Sequence, residues 1–423
     1  MDIRLLKSVF VLLVCLCTFS TAVVVNETLN TNEKYIFLHE FGFLEGGNAH
    51  INITTQPDNA QLYFLFCTEN QNTELFGFGT PEPCKIGITN QTCELSVQFQ
   101  GHLELDKNVT KYGVYYLYLA NCDALTITGN AYYTLVNPAG QHLGFGYIPL
   151  PALFTILTGT WFVISVLWCF TWIKNKTVCT IFIRQQSIKF YSVVSIFPIV
   201  KFVYAIIGVF YWGSYARDGS VSVSAFMLYG FLYILMRSVF YSVLLLIATG
   251  WGVLRDSLES EKYVIGGTIG GLIATLIAGF LLHGLFILLT FVIYIVVIVL
   301  IFRYINYNLY RLETEGSNRP DVSRIVVQDK EEMFKTFKVI MLAYIAIVMV
   351  IALFEIMFLL NYPWVTEMLY ELLELTVFIC IGYTFRQKPP GYHRTDNYDD
   401  TDQEEAIQMD TQPLRDRQND HNL

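Results

Sequence analysis

Two hydrophobic rhythms divide this chain. Between residues 23 and 146 the apolar positions come in short alternating runs: Tyr35 to Phe41, His50 to Thr54, Gln61 to Phe66, Glu94 to Gln98, Tyr112 to Ala120 and Ala131 to Val136. Alternation with a period of two marks half-buried strands, and clusters such as Gln56-Pro57-Asp58-Asn59 and Phe78-Gly79-Thr80-Pro81 supply the turns between them. The spacing predicts a small all-β sandwich. From residue 147 the apolar positions fuse into seven stretches, 153–173, 190–212, 223–249, 264–282, 284–302, 337–360 and 366–385. Each is long enough to cross roughly 30 Å of hydrocarbon as a helix. The fourth and fifth almost touch, which requires a tight turn at His283-Gly284; one continuous helix there would overshoot the bilayer. The fold class expected is a membrane protein, an all-β sandwich followed by an α-helical seven-transmembrane bundle.

The segment from Met1 to Ala22 reads as a signal peptide. Arg4 and Lys7 give a positive start, Val9 to Phe19 form a short apolar core, and Ser20-Thr21-Ala22 offers a small-residue cleavage site. An apolar run of that length is too short for a spanning helix. Four regions follow: signal peptide 1–22, lumenal sandwich 23–146, helical bundle 147–387 and tail 388–423.

Composition narrows the class further. Of 423 residues, 54% are hydrophobic and 15% charged. Such a balance excludes disorder over most of the length. A formal net charge of −9 leaves no basic face for a nucleic acid.

The sandwich region holds four cysteines, Cys67, Cys84, Cys93 and Cys122, an even number in a segment sent to an oxidising lumen. Three pairings are possible. The preferred one clamps two strands with Cys67–Cys122 and closes a local loop with Cys84–Cys93. A metal site fits poorly, since no Cys-x-x-Cys pair or neighbouring histidine completes a ligand set. Four sequons for N-glycosylation lie in the same region, at Asn26, Asn52, Asn90 and Asn108, while a fifth at Asn175 belongs on the cytosolic side.

Loop charges orient the bundle. Lys174, Lys176, Arg184 and Lys189, then Arg255 and Lys262, then Arg303, Arg311, Arg319, Arg324, Lys330 and Lys335 fall in alternate loops, whereas the opposite loops hold only Arg217. The N-terminus is therefore lumenal and the C-terminus cytosolic. After Pro389-Pro390-Gly391 the tail turns acidic, with Asp396, Asp399, Asp400, Asp402, Glu404 and Glu405; it reads as a disordered, solvated tail, the alternative being a docking segment for cytosolic trafficking adaptors.

No nucleophile elbow, His-Glu-x-x-His pair or phosphate-cradling loop is present, so no catalytic residue, cofactor or metal is assigned and an enzyme is not expected. The glycines Gly266, Gly267, Gly270 and Gly271 read as a site of close helix packing. Charges inside the spans are costly and mark interior sites. Lys201 lies in the second span, Arg237 in the third, Glu355 in the sixth, and Glu371 and Glu374 in the seventh. Lys201 and Arg237 are expected to pair with Glu374, with Glu355 and Glu371 either lining a polar cavity open to the lumen or joining an ion-pair network that only fixes helix packing.

Phe41-Gly42-Phe43 with Gly46-Gly47, Asn137-Pro138-Ala139-Gly140 leading through Ile148-Pro149-Leu150 into the first span, Gly250-Trp251-Gly252 closing the third, and Gly382-Tyr383-Thr384-Phe385 with Pro389 at the end of the seventh form an ordered set. In that order they resemble the GOST proteins, in which a lumenal Golgi-dynamics domain, a β-sandwich, is joined to seven helices of the lung seven-transmembrane receptor group. The connector departs from the pattern, with Gln141-His142-Leu143 where Tyr-Leu-Ser is usual. The resemblance implies a Golgi and endosomal membrane protein of vesicular traffic, a cargo or ligand receptor contacting membrane lipids and a lumenal protein or lipid ligand. An ion or lipid conduit is the second reading. A G-protein-coupled receptor is the third, because Gly252-Val253-Leu254-Arg255-Asp256 is not Asp/Glu-Arg-Tyr and the seventh span lacks Asn-Pro-x-x-Tyr.

Overall fold

A computed structural model describes residues 25–76, 84, 88, 92–182, 192–255, 258, 261–282, 285–317, 321–355, 357 and 361–385. The signal-peptide reading, Asn90, the turn at His283-Gly284 and the acidic tail lie outside the described residues.

The N-terminal region is two antiparallel four-stranded sheets. In chain order the elements are β1 (Val25–Thr31), β2 (Tyr35–Phe43), β3 (Asn48–Gln56), β4 (Leu62–Thr68), a short helix α1 (Glu69–Phe76), β5 (Leu95–Phe99), β6 (His102–Asn108), β7 (Gly113–Ala120) and β8 (Ile127–Val136). One sheet runs β1-β8-β3-β6 and the other β2-β7-β4-β5. Alternate residues of both meet in one core, among them Phe43, Ile51, Ile53, Phe64, Phe66, Leu117, Leu119 and Tyr133. Six strands coincide with the alternating runs. The two that the pattern misses, β1 and β6, are the edges of the first sheet. Edge strands are kept polar and contribute few inward side chains, here Leu29 from β1 and chiefly Leu103 from β6, so they carry little periodic signal.

Seven long helices follow among the described residues: α2 (Leu150–Phe182), α3 (Ile196–Asp218), α4 (Val223–Ala248), α5 (Glu261–Leu282), α6 (Leu285–Ser317), α7 (Asp321–Phe354) and α8 (Pro363–Thr384). Six, α2 to α7, are long and apolar enough to cross a membrane. Their outward faces suit lipid: Phe170, Phe291, Val299, Val339 and Leu353 are each more than half exposed. The expected seventh span, α8, has 22 residues but carries three carboxylates, Glu367, Glu371 and Glu374, and is not among the helices that qualify as spans by length and composition. The expected inner loop between the fifth and sixth stretches is largely helix: α6 continues to Ser317 and α7 starts at Asp321, sixteen residues before the apolar stretch at 337.

The close packing expected at the glycines of α5 is corrected. A Cβ at Gly266, Gly267 or Gly270 would meet nothing within 4 Å, and one at Gly271 only the tip of Ile293 at 3.8 Å. Among the described residues no second backbone approaches this face, which close glycine packing would require.

The chain divides into two compact units. The first comprises the sandwich with residues 207–229 and 355–367, and the second comprises 156–206, 230–354 and 368 onward.

Candidate functional site

Within the second unit, four ionised side chains from three helices converge. Lys201 of α3 is fully buried, and Nζ lies 2.5 Å from Oε1 of Glu371 and 2.6 Å from Oε2 of Glu374. Arg237 of α4 donates to the other oxygen of Glu374. Glu371 and Glu374 stand three residues apart on α8, so both carboxylates share one helix face. The indole Nε1 of Trp161, from α2, donates to Oε2 of Glu371 at 3.3 Å.

Two cations meet two anions, and that balance is what permits the cluster. An isolated buried charge carries a desolvation cost of several kcal/mol, which close ion pairs and hydrogen bonds offset. Aromatic faces complete the shell. Lys201 Nζ sits 5.8 Å from the Trp161 ring and 5.7 Å from Tyr204. The Arg237 guanidinium sits 5.4 Å from Tyr233 and 5.9 Å from Tyr370. At these distances the ring quadrupoles attract the cations. Beside Arg237, Tyr241 packs on Tyr294 at 5.0 Å and its hydroxyl lies 3.2 Å from that of Tyr344.

Glu371, expected at the wall of a cavity, is only 4% exposed and is taken up by Lys201. Glu355 is half-buried at the end of α7 and makes no ion pair among the described residues. Trp161 and the tyrosines were not singled out from sequence. The available signal was the indole: a tryptophan in the middle of an apolar span needs an acceptor for its N–H, and Glu371 supplies it.

The cysteine pairing is corrected to Cys67–Cys93 and Cys84–Cys122, with Cα separations of 4.6 and 5.3 Å. Strand direction is the reason. β4 and β7 are antiparallel, and Cys67 is in register with Tyr116. Cys122 follows the opposite end of that pair, about 20 Å away at ~3.3 Å per residue. Cys93, by contrast, precedes β5, whose Leu95 is in register with Phe66. Among the sequons, Asn52 sits on β3, Asn108 ends β6 and Asn26 lies in β1.

The resemblance motifs occupy defined structural positions. In the first unit Asn137 is 2% exposed; its Oδ1 accepts from Leu44 N at 2.6 Å, and its Nδ2 donates to Gly42 O at 3.0 Å and Leu143 O at 2.8 Å. Gly42 passes so close to the connector that a Cβ there would lie 2.6 Å from the Phe145 ring. The connector then bonds to helix ends of the same unit: His142 N donates to Ala216 O at 3.0 Å, and Phe145 packs on Tyr362 at 5.6 Å. In the second unit Gly250 ends α4 with a φ of 75°, the left-handed conformation that glycine adopts without strain. Asn308 Nδ2 donates to the Ala248 carbonyl at 2.8 Å, and Arg255 pairs with Glu261 at 2.6 Å.

No protein-family model matches this chain, and no curated protein matches it.

Proposed function

We propose that this chain is a seven-span membrane protein of the Golgi and endosomal system that works as a trafficking receptor, with its sandwich in the lumen and its acidic tail offered to cytosolic adaptors. The observation that carries this reading is Asn137. Its three hydrogen bonds fasten the sandwich to the connector, and the connector bonds to the ends of α3 and α8 within the same compact unit. A recognition domain tied in this way transmits the presence of a lumenal partner to the membrane helices. Of the residues that tie it, Gly42 and Asn137 belong to the motifs through which the chain resembles the GOST proteins.

The ion network supports counting α8 as a span. Lys201 and Arg237 neutralise Glu371 and Glu374, which leaves Glu367, in the first turns, as the remaining charged residue of α8, a helix of 22 residues. At the helical rise such a length spans about 33 Å and suits the hydrocarbon thickness. The same pairing favours a receptor over an ion conduit, because the charges close on one another. A signal peptide and glycans on Asn26, Asn52, Asn90 and Asn108 accompany the lumenal placement, and Asn175 stays bare.

The test is immuno-electron microscopy of the tagged full-length chain, coupled to proximity labelling from the tail. The expected result is Golgi and endosomal labelling with vesicle-coat adaptors among the biotinylated neighbours. Residence at the cell surface with agonist-dependent G-protein activation would overturn it, as would ion flux through the purified protein in liposomes.

A further inference from the structure

The two sheets present unlike outer faces. Over β2-β7-β4-β5, Leu65, Cys67 and Ala120 are buried against α1, Cys84 and Ile88, and Phe76 stacks on Tyr118 at 4.3 Å. Among the described residues nothing covers the outer face of β1-β8-β3-β6, which is polar. Along β3 the outward residues are Asn48, His50, Asn52, Thr54 and Gln56, between buried Ala49, Ile51, Ile53 and Thr55. Along β6 they are His102, Glu104, Asp106 and Asn108.

Strand parity therefore brings separate sequons to one surface. Asn52 and its Thr54 face out together from a central strand, and Asn108 is exposed at the end of an edge strand. On the strand beside Asn52, away from β6, lies an exception to the polar pattern. Tyr132 of β8 is 37% exposed, with its ring edge-on to His50 at 6.5 Å. It is the register partner of Asn52 on one side and of Asn26 on the other. Directly opposed residues have Cβ atoms roughly 4.5–5.5 Å apart, the distance at which a sugar attached to one lies across the ring of the other.

We propose that this face is a glycan-bearing surface, in which Asn52 and Asn108 carry N-linked oligosaccharides and the Tyr132 ring is the platform under the first sugar on Asn52. The inference rests on the lumenal placement of the sandwich given above. In each transfer the asparagine amide nitrogen bonds to the anomeric carbon of a lipid-diphosphate-linked oligosaccharide. The carbon–oxygen bond to the diphosphate breaks, and the amide nitrogen gives up one proton. Branched sugars over the sheet keep other proteins off it and shield the β6 edge from strand pairing. Protein recognition is thereby confined to the opposite side of the sandwich, around α1.

The experiment uses the full-length chain in cultured cells. Protease treatment of sealed microsomes is combined with glycosidase mobility shifts of Asn52→Gln, Asn108→Gln and the double variant. The expected result is a protected sandwich, with each single variant one glycan lighter. A protected sandwich bare at either Asn52 or Asn108 overturns the inference and leaves the receptor reading standing; a digested sandwich overturns both. The platform is tested on purified protein by removing the glycans enzymatically. The melting temperature is expected to fall in the native chain and in Tyr132→Phe, and to stay unchanged in Tyr132→Leu. Equal falls in all three overturn the platform. Should Tyr132→Leu not fold, hydroxyl-radical footprinting of the native protein decides: Tyr132 is expected to be protected only while the glycans are present, and equal labelling overturns it.

Discussion

The Lys201 ammonium and the Glu371 carboxylate meet at 2.5 Å, and the same nitrogen lies 2.6 Å from Glu374, so one buried cation serves two anions a helical turn apart. Removing that cation leaves two carboxylates facing a single guanidinium. Breaking one side of a buried ion pair costs about 3–5 kcal/mol, so Lys201→Met is expected to lose most of its folded yield. Glu374→Lys should do the same, because it places three cations around Glu371. The reciprocal exchange Lys201→Glu with Glu374→Lys restores the charge balance and should recover part of the monodisperse peak in fluorescence-detected size exclusion. A double variant no better than the worse single one would show that the four charges do not act as a unit.

Asn137 fastens the sandwich to the connector through three hydrogen bonds, two of them to carbonyls. Asn137→Ala strands the Leu44 N–H and the Leu143 carbonyl, while the Gly42 carbonyl keeps the Phe145 N–H at 2.8 Å; each unsatisfied buried group costs roughly 1–3 kcal/mol. Asn137→Asp keeps the acceptor for Leu44 but loses both donors, so it should be nearly as damaging. The expected readout is a fall in thermal midpoint for both, with Asp slightly above Ala. A midpoint unchanged in Asn137→Ala would mean that water replaces the side chain without cost.

These two sites differ in how far sequence reveals them. Lys201, Arg237, Glu371 and Glu374 stand out because a charge inside an apolar run is conspicuous, and their partners follow from helix faces. Asn137 is conspicuous only through its motif; nothing in its neighbours says that it reaches 93 residues back to Leu44. The strands that alternation reveals are the ones with a buried side. The edge strands β1 and β6 are hidden by the polarity that protects them. Cysteine pairing is illegible for a related reason: it depends on strand direction and register, which hydrophobic pattern does not encode.

Peptide mapping without reduction should recover Cys67 linked to Cys93 and Cys84 linked to Cys122. The paired cysteines are 26 and 38 residues apart. Loops of such similar length differ in chain-entropy contribution by only ~0.3 kcal/mol. Burial decides instead. Cys67 is 0% and Cys93 3% exposed, whereas Cys84 is half-buried. Cys67→Ser therefore leaves a hydroxyl and a thiol in an apolar setting. Secretion or surface yield should fall further for Cys67→Ser than for Cys84→Ser, and the reverse order would show that the second bond matters more.

Acidification should weaken the sandwich through His39. Its imidazole packs 5.5 Å from Tyr133, and burial holds its pKa below the ordinary 6.5. The unfolded chain then binds a proton that the folded chain resists, so stability is lost as pH falls from 6.5 toward the folded value. Glu40, next in sequence, acts oppositely and at lower pH, since burial and the charge of Glu69 raise its pKa above 4.5. Urea midpoints at pH 7.5 and 5.5 check this: the native chain should lose stability between them, and His39→Gln should lose less. Parallel losses would place the pH sensitivity elsewhere.

The helix glycines divide by what surrounds them. A Cβ at Gly208 would lie 2.1 Å from the ring of Phe154, which is 0% exposed and has nowhere to move. Gly208→Ala should therefore force α2 and α3 apart, an overpacking effect of about 1–3 kcal/mol that shows as a lower midpoint. At Gly266 and Gly270 a Cβ meets nothing within 4 Å. There alanine only improves helix propensity, by roughly 0.5–1 kcal/mol per site in water-exposed helices, so the midpoint should hold or rise. The three variants measured side by side in one detergent separate the two environments. A fall at Gly270→Ala comparable to that at Gly208→Ala would mean that the open face of α5 is occupied in the folded protein.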